Sequence, residues 1–406
     1  MRRGSAAQVL TGSVLGIALS PGTVVFYSLG VFIDPISRAT GWSHGEISFA
    51  ASVFTFALIF SIPVVGRLLD RYGVRAVLPA SVLLFGAMLF LTGVTRSLAE
   101  FYVAFALLAA LGAGANSVSY MRAVCTWFDR RRGLAIGVAQ AGMGLGVMVM
   151  PHLTERLLQL GGWQFAYRAL GLAVCLAVLP AVALLVREND GNPRESGDRS
   201  LQGSGDTWRA FRSARLWLLI LGFMLLAGAI NSTALHLVDM AESAGASRQT
   251  GLMAATAFGA FMFAGRLATG LLLDLCFAPY VAAVLFCGSM LAMMVLAAGA
   301  TGTPLLAAAS IVGLSAGADG DLASYLVSRY FPMKSFATLG SCVFSAYLAG
   351  TALFPWLVGL AVERLGSYRV PMQLCAGLCA GAMACMLLLG SYPATHAHTS
   401  MRVQDA

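Results

Sequence analysis

Apolar residues fill the chain in long blocks that short polar turns divide. Windows of about 20 residues give twelve such blocks, at 8–33, 47–69, 76–95, 98–124, 134–153, 165–186, 216–238, 251–273, 281–300, 304–330, 336–362 and 370–392. Each can cross roughly 30 Å of hydrocarbon as a helix. In lipid every backbone N–H and C=O has to be bonded within its own segment, so the pattern predicts helices. The first block is longer than a signal-peptide core and no cleavage site follows it, so it is read as a span. The predicted class is an all-α membrane protein with twelve transmembrane helices.

Composition supports lipid as the solvent. The chain is 58% hydrophobic and only 11% charged, against about 25% charged for a soluble domain. The eight cysteines form no CxxC pair and no cluster with histidine, so they read as small apolar residues. A net charge of +8 could point to nucleic acid, but its distribution points to topology. Of 26 Lys and Arg residues, 17 fall in the termini and even-numbered gaps and seven on the opposite side. The remaining two, Arg122 and Arg266, lie inside spans. The positive-inside rule makes the rich side cytoplasmic, with both termini there. Arg130, Arg131 and Arg132, crowded between spans four and five, are expected to fix topology, meet anionic headgroups and contribute to a cytoplasmic gate.

The polar stretch 187–215 is rich in Gly, Ser and charge and divides the spans six and six. It reads as a cytoplasmic linker with a short interfacial helix near 208–215. The predicted domains are an N-terminal bundle at 1–186, this linker, a C-terminal bundle at 216–392 and a cytoplasmic tail at 393–406. The bundles repeat one another. "GRLLD" (66–70) matches "GLLLD" (270–274) at an offset of 204, and "GAN" (114–116) matches "GAD" (317–319) at 203. Phe128, Arg131, Gly137 and Pro151 find Phe331, Lys334, Gly340 and Pro355 at the same spacing. A duplicated six-helix unit is a transporter architecture, with the substrate site expected near the midplane.

"GRLLDRYGVR" (66–75) resembles the signature loop of the major facilitator superfamily. "WFDRRRGLAIGVAQAGMGLG" (127–146) resembles the span-five signature of its monocarboxylate-transporter-like and oxalate/formate-antiporter-like branch. "FYSLGVFIDPISRATGWSHGEIS" (26–48) and "GADGDLASYLVSRYF" (317–331) resemble bacterial members of that branch. The resemblance covers all twelve spans. It implies two pseudo-symmetric six-helix bundles, no enzymatic activity and a place in the cytoplasmic (inner) membrane. The acidic-aromatic motif that opens span one in animal monocarboxylate carriers is missing, which weakens lactate or pyruvate as substrate.

In the loop motif, Asp70 can cap a neighbouring helix and pair with Arg71 or Arg75, locking the cytoplasmic ends. The alternative is a tight turn whose charges face water. Asp274 repeats Asp70 in the second half, but Leu275 stands where a second arginine is expected, so a latch there is weaker. Arg122 reads as a gating or snorkelling residue. The glycines of span five, including Gly137, Gly142 and Gly146, allow close helix packing.

Ionisable residues inside spans are expensive and mark pathways. Arg266 lies eight residues before Asp274, about 12 Å into span eight. Its planar fork suits bidentate capture of a carboxylate. The resemblance implies substrate binding by an arginine at this place; the alternative is a structural pair with Asp319 or Asp321. The branch's aspartate one turn before that arginine is Met262 here, so proton coupling does not carry over to that position. Span eleven lacks the lysine of the oxalate carriers, so a single carboxylate is expected rather than a dicarboxylate. Asp319 and Asp321 are the candidate proton acceptors, with a fixed pair to Arg122, or capping of a break near Gly317 and Gly320, as the alternatives. Tyr27, Asn116, Tyr120 and Asn231 are candidate substrate-lining residues. His236 can titrate or serve as a hydrogen-bonded structural group.

The expected function is alternating-access transport of a small organic anion, an aliphatic or aromatic monoacid, by proton-coupled uptake. A proton-driven efflux pump for amphiphiles and a non-transporting nutrient sensor are the alternatives. The absence of a proline-glycine motif on the cavity side of span five favours uptake. The 14-residue tail after Tyr392 does not favour a sensor. The expected partners are the organic acid, protons and membrane lipids, with no nucleic acid, metal or cofactor, and the working unit is expected to be a monomer.

Overall fold

A computed structural model describes residues 6–128, 131–189 and 208–392. Among these the secondary structure is helical, and eleven helical stretches are long and apolar enough to cross a membrane. One of them, Arg132–Leu185, has 54 residues and would measure roughly 80 Å as a single rod. It is two helices joined across a kink at Gly161 and Gly162, where Gly162 has φ 74°. That run supplies spans five and six, so the chain crosses twelve times. Two compact units result, Met1–Asp198 and Arg199–Ala406.

Local chemistry starts and ends these helices. Span two (His44–Tyr72) opens with a capping box, in which Ser43 Oγ accepts from Glu46 N and Glu46 accepts from Ser43 N. Span eight (Arg248–Leu275) opens on the Ser247 cap. Span one consists of Ala6–Ala18 and Pro21–Thr40, running seven residues beyond the predicted limit. Pro21 cannot donate to the preceding turn, and the Thr23 hydroxyl takes up the Ile17 carbonyl at 3.2 Å instead. Span two ends at Tyr72 and span three (Val74–Thr92) begins at Val74, so Gly73 alone joins them. Its φ of 77° is open mainly to glycine. Span six carries a π-helical turn at Val174–Val178 just before Pro180, where the missing N–H breaks the α ladder. The helix expected near 208–215 covers residues 208–211, and Arg215 already belongs to span seven (Ala214–Ser243).

Span four contains a break. Leu98–Gly112 gives way to a 3-10 turn at Ala113–Ala115, and helix resumes at Ser117–Trp127. Asn116 takes an extended backbone there. Its amide donates to the Ala113 carbonyl at 3.2 Å, and the Ser119 hydroxyl donates to that of Gly114. The freed backbone groups are thus rebonded inside protein, as lipid demands. The repeat counterpart behaves differently. Span ten (Gly302–Tyr330) is continuous helix through Gly317, Asp319 and Gly320, so the predicted break near those glycines is absent.

Within each unit glycine allows backbones to touch. A Cβ on Gly142 or Gly146 of span five would collide with the carbonyl oxygens of Val14 or Ala18 in span one. In the second unit, a Cβ on Gly350 of span eleven (Phe336–Leu365) would meet Met224 O in span seven. Gly350 lies 204 residues after Gly146, so the repeat survives as the same contact. Spans eight and ten form the closest pair. Gly313 faces Phe258 O, Gly317 faces Met262 O, and Gly265 faces the backbone of Leu314. Large apolar side chains elsewhere point outward, Phe56, Phe60, Leu176 and Val284 among them, as a lipid-facing surface requires.

Adding a methyl at Gly317 forces spans eight and ten apart, and overpacking of this kind costs about 1–3 kcal/mol. Gly317→Ala is therefore expected to lower the thermal unfolding midpoint of the purified protein. Gly377→Ala, where a Cβ meets nothing within 4 Å, should leave it unchanged.

Candidate substrate and coupling site

The glycine contact between spans eight and ten decides what lies beside Arg266. A Cβ at Gly317 would stand 2.9 Å from the Arg266 backbone nitrogen, so the arginine leaves span eight level with the acid-bearing turn of span ten. Arg266 is 7% exposed, Asp319 6% and Asp321 fully buried. The guanidinium acts electrostatically on both carboxylates. Asp319 is held from two sides, accepting from the Tyr347 hydroxyl at 2.7 Å and from the Gly320 backbone N–H. Neither oxygen of Asp321 has a hydrogen-bond partner among the described residues. A buried carboxylate without donors is costly as an anion, so Asp321 depends on the charge of Arg266 or on a proton.

Asn231 of span seven reaches the same cluster. Its amide donates to Ala227 O at 2.9 Å and Thr351 Oγ1 at 3.2 Å, and it is near enough to Tyr347 to influence its hydroxyl. Spans seven, eight, ten and eleven of the C-terminal unit thus contribute Asn231, Arg266, Asp319, Asp321 and Tyr347 to one buried polar cluster in an otherwise apolar bundle. It can hold an anion, hold a proton, and exchange one for the other.

The N-terminal unit carries a second, half-buried charge group, at its arginine-rich end. Arg122 of span four pairs through Nη1 with Asp70 of span two and through Nε with Glu188, at 2.6 Å. Glu188 also accepts from Val74 N at 3.3 Å, at the start of span three. Its carboxylate lies so close to Gly73 that a Cβ there would stand 2.8 Å from it. Glu188 caps that helix, and Arg122 is an arginine paired with Asp70. The Arg71 guanidinium lies over the Tyr72 ring, 5.2 Å from its centre, and Arg75 is exposed. Within the N-terminal unit Arg122 is engaged by this group.

These features have known counterparts. The Major Facilitator Superfamily profile matches residues 15–318. The chain belongs to the Major Facilitator Superfamily. Its relatives include the MFS transporter asaE of Aspergillus flavus, 22% identical over 83% of this chain and 75% of that one. Monocarboxylate transporter 11 of Mus musculus is 26% identical over 86% and 80%. The Fujikurins efflux protein of Gibberella fujikuroi is 28% identical over a shorter stretch, 40% of this chain and 36% of that one. Among solved structures, the E. coli fucose:proton symporter FucP aligns with a TM-score of 0.74 over 95% of this chain and 98% of its own, at 15% identity. That likeness establishes the fold, two six-helix bundles of a multi-pass membrane transporter. Superfamily members of this fold are transporters and not enzymes.

The other sequence candidates are placed within their own units. Asn116 is buried at the break of span four. Tyr120 is fully buried with its ring against Gly16 of span one, so that a Cβ there would strike it, and it offers no accessible surface. Tyr27 lies on Pro21–Thr40, and its side chain lies outside the described set. Arg130 also lies outside the described residues. Arg131 is exposed, whereas Arg132 is buried and donates through Nε to Phe128 O at 3.1 Å. Asp274 is half-buried at the end of span eight. His236 of span seven meets Pro355 O at 3.3 Å and packs against the Tyr368 ring.

Sequence reading passed over Tyr347 and Glu188. Tyr347 had one usable signal, its position one turn before Thr351 on a helix otherwise rich in small residues. Glu188 sits in the stretch predicted to be linker. The start of that stretch is docked, since Trp127 Nε1 donates to Arg187 O and Asn189 N donates to Thr126 Oγ1.

Removing one partner of a buried ion group strands the others, typically at about 3–5 kcal/mol. Arg122→Met is expected to lower the unfolding midpoint of the purified protein by several degrees. Adding Asp70→Asn and Glu188→Gln to it should recover most of the loss. A single variant as stable as the wild type would show that the group contributes nothing to the bundle.

Proposed function

We propose that this transporter moves a small organic monoacid by alternating access, in symport with a proton and in the direction of uptake. The observation that carries the reading is the buried Arg266 beside Asp319 and Asp321. A guanidinium in a water-poor site grips a carboxylate through two parallel hydrogen bonds. A substrate carboxylate arriving there offsets the positive charge that favours the ionised aspartates, so substrate and proton enter together. Asp319 and Asp321 serve as the proton acceptors in place of the acid replaced by Met262, and Asn231 lines the site. Asp70, Arg122 and Glu188 hold the arginine-rich ends of the N-terminal spans together in the closed gate. The name of the mouse relative, a monocarboxylate transporter, supports the substrate class. The count of arginines supports a cytoplasmic-membrane topology with both termini inside.

A second reading is efflux, favoured by the relative named for export of fujikurins. Direction separates the two. Uptake by proteoliposomes of labelled propionate and benzoate should exceed the level at equilibrium when the outside is acidic and collapse with a protonophore. Extrusion under the opposite gradient, without concentrative uptake, selects efflux.

Arg266→Lys keeps the charge but removes the fork. Its apparent affinity for the transported acid should fall at least tenfold, about 1.4 kcal/mol. Wild-type affinity in this variant, or equal transport of the acid and its amide, removes Arg266 from the substrate site.

A further inference from the structure

Asp319 is 6% exposed, so almost none of it meets solvent directly. Spans seven and eleven enclose a cleft of about 610 Å³ whose lining includes Asn231, His236, Thr351, Trp356, Gly359 and Glu363. Asn231 lies twelve residues before the end of span seven at Ser243, and Glu363 two before the end of span eleven at Leu365. Both spans start beside Arg215, Arg329 and Lys334. The cleft therefore occupies the half of the bundle nearest the arginine-poor face.

Its inner end is bounded by Asn231 and Thr351, one turn from Tyr347. Thr351 Oγ1 accepts from Asn231, which also influences Tyr347. Tyr347 stands one turn from Thr351, with its ring parallel to that of Phe344, and donates to Asp319 at 2.7 Å. We propose that this cleft is the proton's route from the arginine-poor face to Asp319, and that the Tyr347 hydroxyl is its last member. The route rests on the reading of Asp319 as the coupling acid.

The step balances simply. Tyr347 gives its phenolic proton to the Asp319 carboxylate while the phenol oxygen takes a proton from water at the Thr351 hydroxyl. One O–H bond breaks and one forms at the phenol, and hydronium at the cleft mouth supplies the net proton. Asn231 holds its amide hydrogens and does not relay; it keeps Tyr347 and Thr351 in register. The charged and titratable groups around this path are His236 and Asp239 on span seven, Glu363 on span eleven, Tyr368 before span twelve (Arg369–Leu387), Arg266 on span eight and Asp321 on span ten. Arg266 acts electrostatically on Tyr347 as well as on both aspartates, so substrate on the guanidinium changes the field at both ends of the final transfer.

A Cβ on Gly359 would meet the His236 ring at 3.8 Å, an ordinary contact. Gly359→Leu therefore narrows the cleft beside His236, at a position away from Asp319 and Arg266. The test uses full-length protein in proteoliposomes with labelled propionate or benzoate. Gly359→Leu should slow accumulation driven by an acidic arginine-poor side at least tenfold, while counterflow of the same acid stays within twofold of wild type. Tyr347→Phe should lower the gradient-driven Vmax at least tenfold with KM within threefold. Wild-type accumulation in both variants, with Asp319→Asn unable to accumulate, overturns the route and leaves the coupling acid standing. Asp319→Asn vesicles that still concentrate the acid overturn the reading of that residue itself. Counterflow lost in step with accumulation in Gly359→Leu assigns the cleft a structural role and also overturns the route.

Discussion

Close approach of spans eight and ten places every charge in the C-terminal cluster. Lipid tails are as apolar as leucine, so helices in a bilayer are held by packing and polar contacts rather than by flight from water. Gly313, Gly317 and Gly265 supply that packing by letting one backbone lie against carbonyl oxygens of the other. The same contact sets the height of Arg266 relative to Asp319 and Asp321. Had either helix carried side chains at these positions, the guanidinium would stand too far off to offset two carboxylates. An uncompensated buried charge costs several kcal/mol, so the cluster exists only because the glycines do.

The two units spend their buried charge differently. In the N-terminal unit Arg122 pairs with both Asp70 and Glu188, an arrangement suited to holding helix ends. In the C-terminal unit one guanidinium serves two acids, and Asp321 has no hydrogen-bond donor among the described residues. A closed group resists change, while an incomplete one responds to any added anion or proton.

Much of this was legible in the chain. Apolar blocks locate the spans because lipid punishes polar backbone, and Arg266 stands out because a cation in an apolar run is conspicuous. The arginine-rich turn and the repeat are equally plain. Partnerships were less so. Asp70 sits beside Arg71 and Arg75, yet pairs with Arg122, 52 positions away. Glu188 hides in a polar stretch where another acid attracts no notice, and Tyr347 is an ordinary aromatic among many. The triplets GAN and GAD occupy matching places but fold differently. Asn116 and Ser119 take up backbone carbonyls and let span four break. The Gly317 helix instead stays continuous, packed on Met262. Local similarity could not reveal which neighbour would press on which turn.

The brevity of the connectors has a mechanical consequence. Gly73 alone joins spans two and three, and Gly161 with Gly162 joins spans five and six. A link of one or two residues cannot pay out chain, so neither helix of such a pair can slide along its partner by more than a fraction of a turn. Each pair behaves as a folded lever with its pivot at the glycine, and any working stroke is shared by both arms. Lengthening a connector would uncouple the arms without altering a single buried contact.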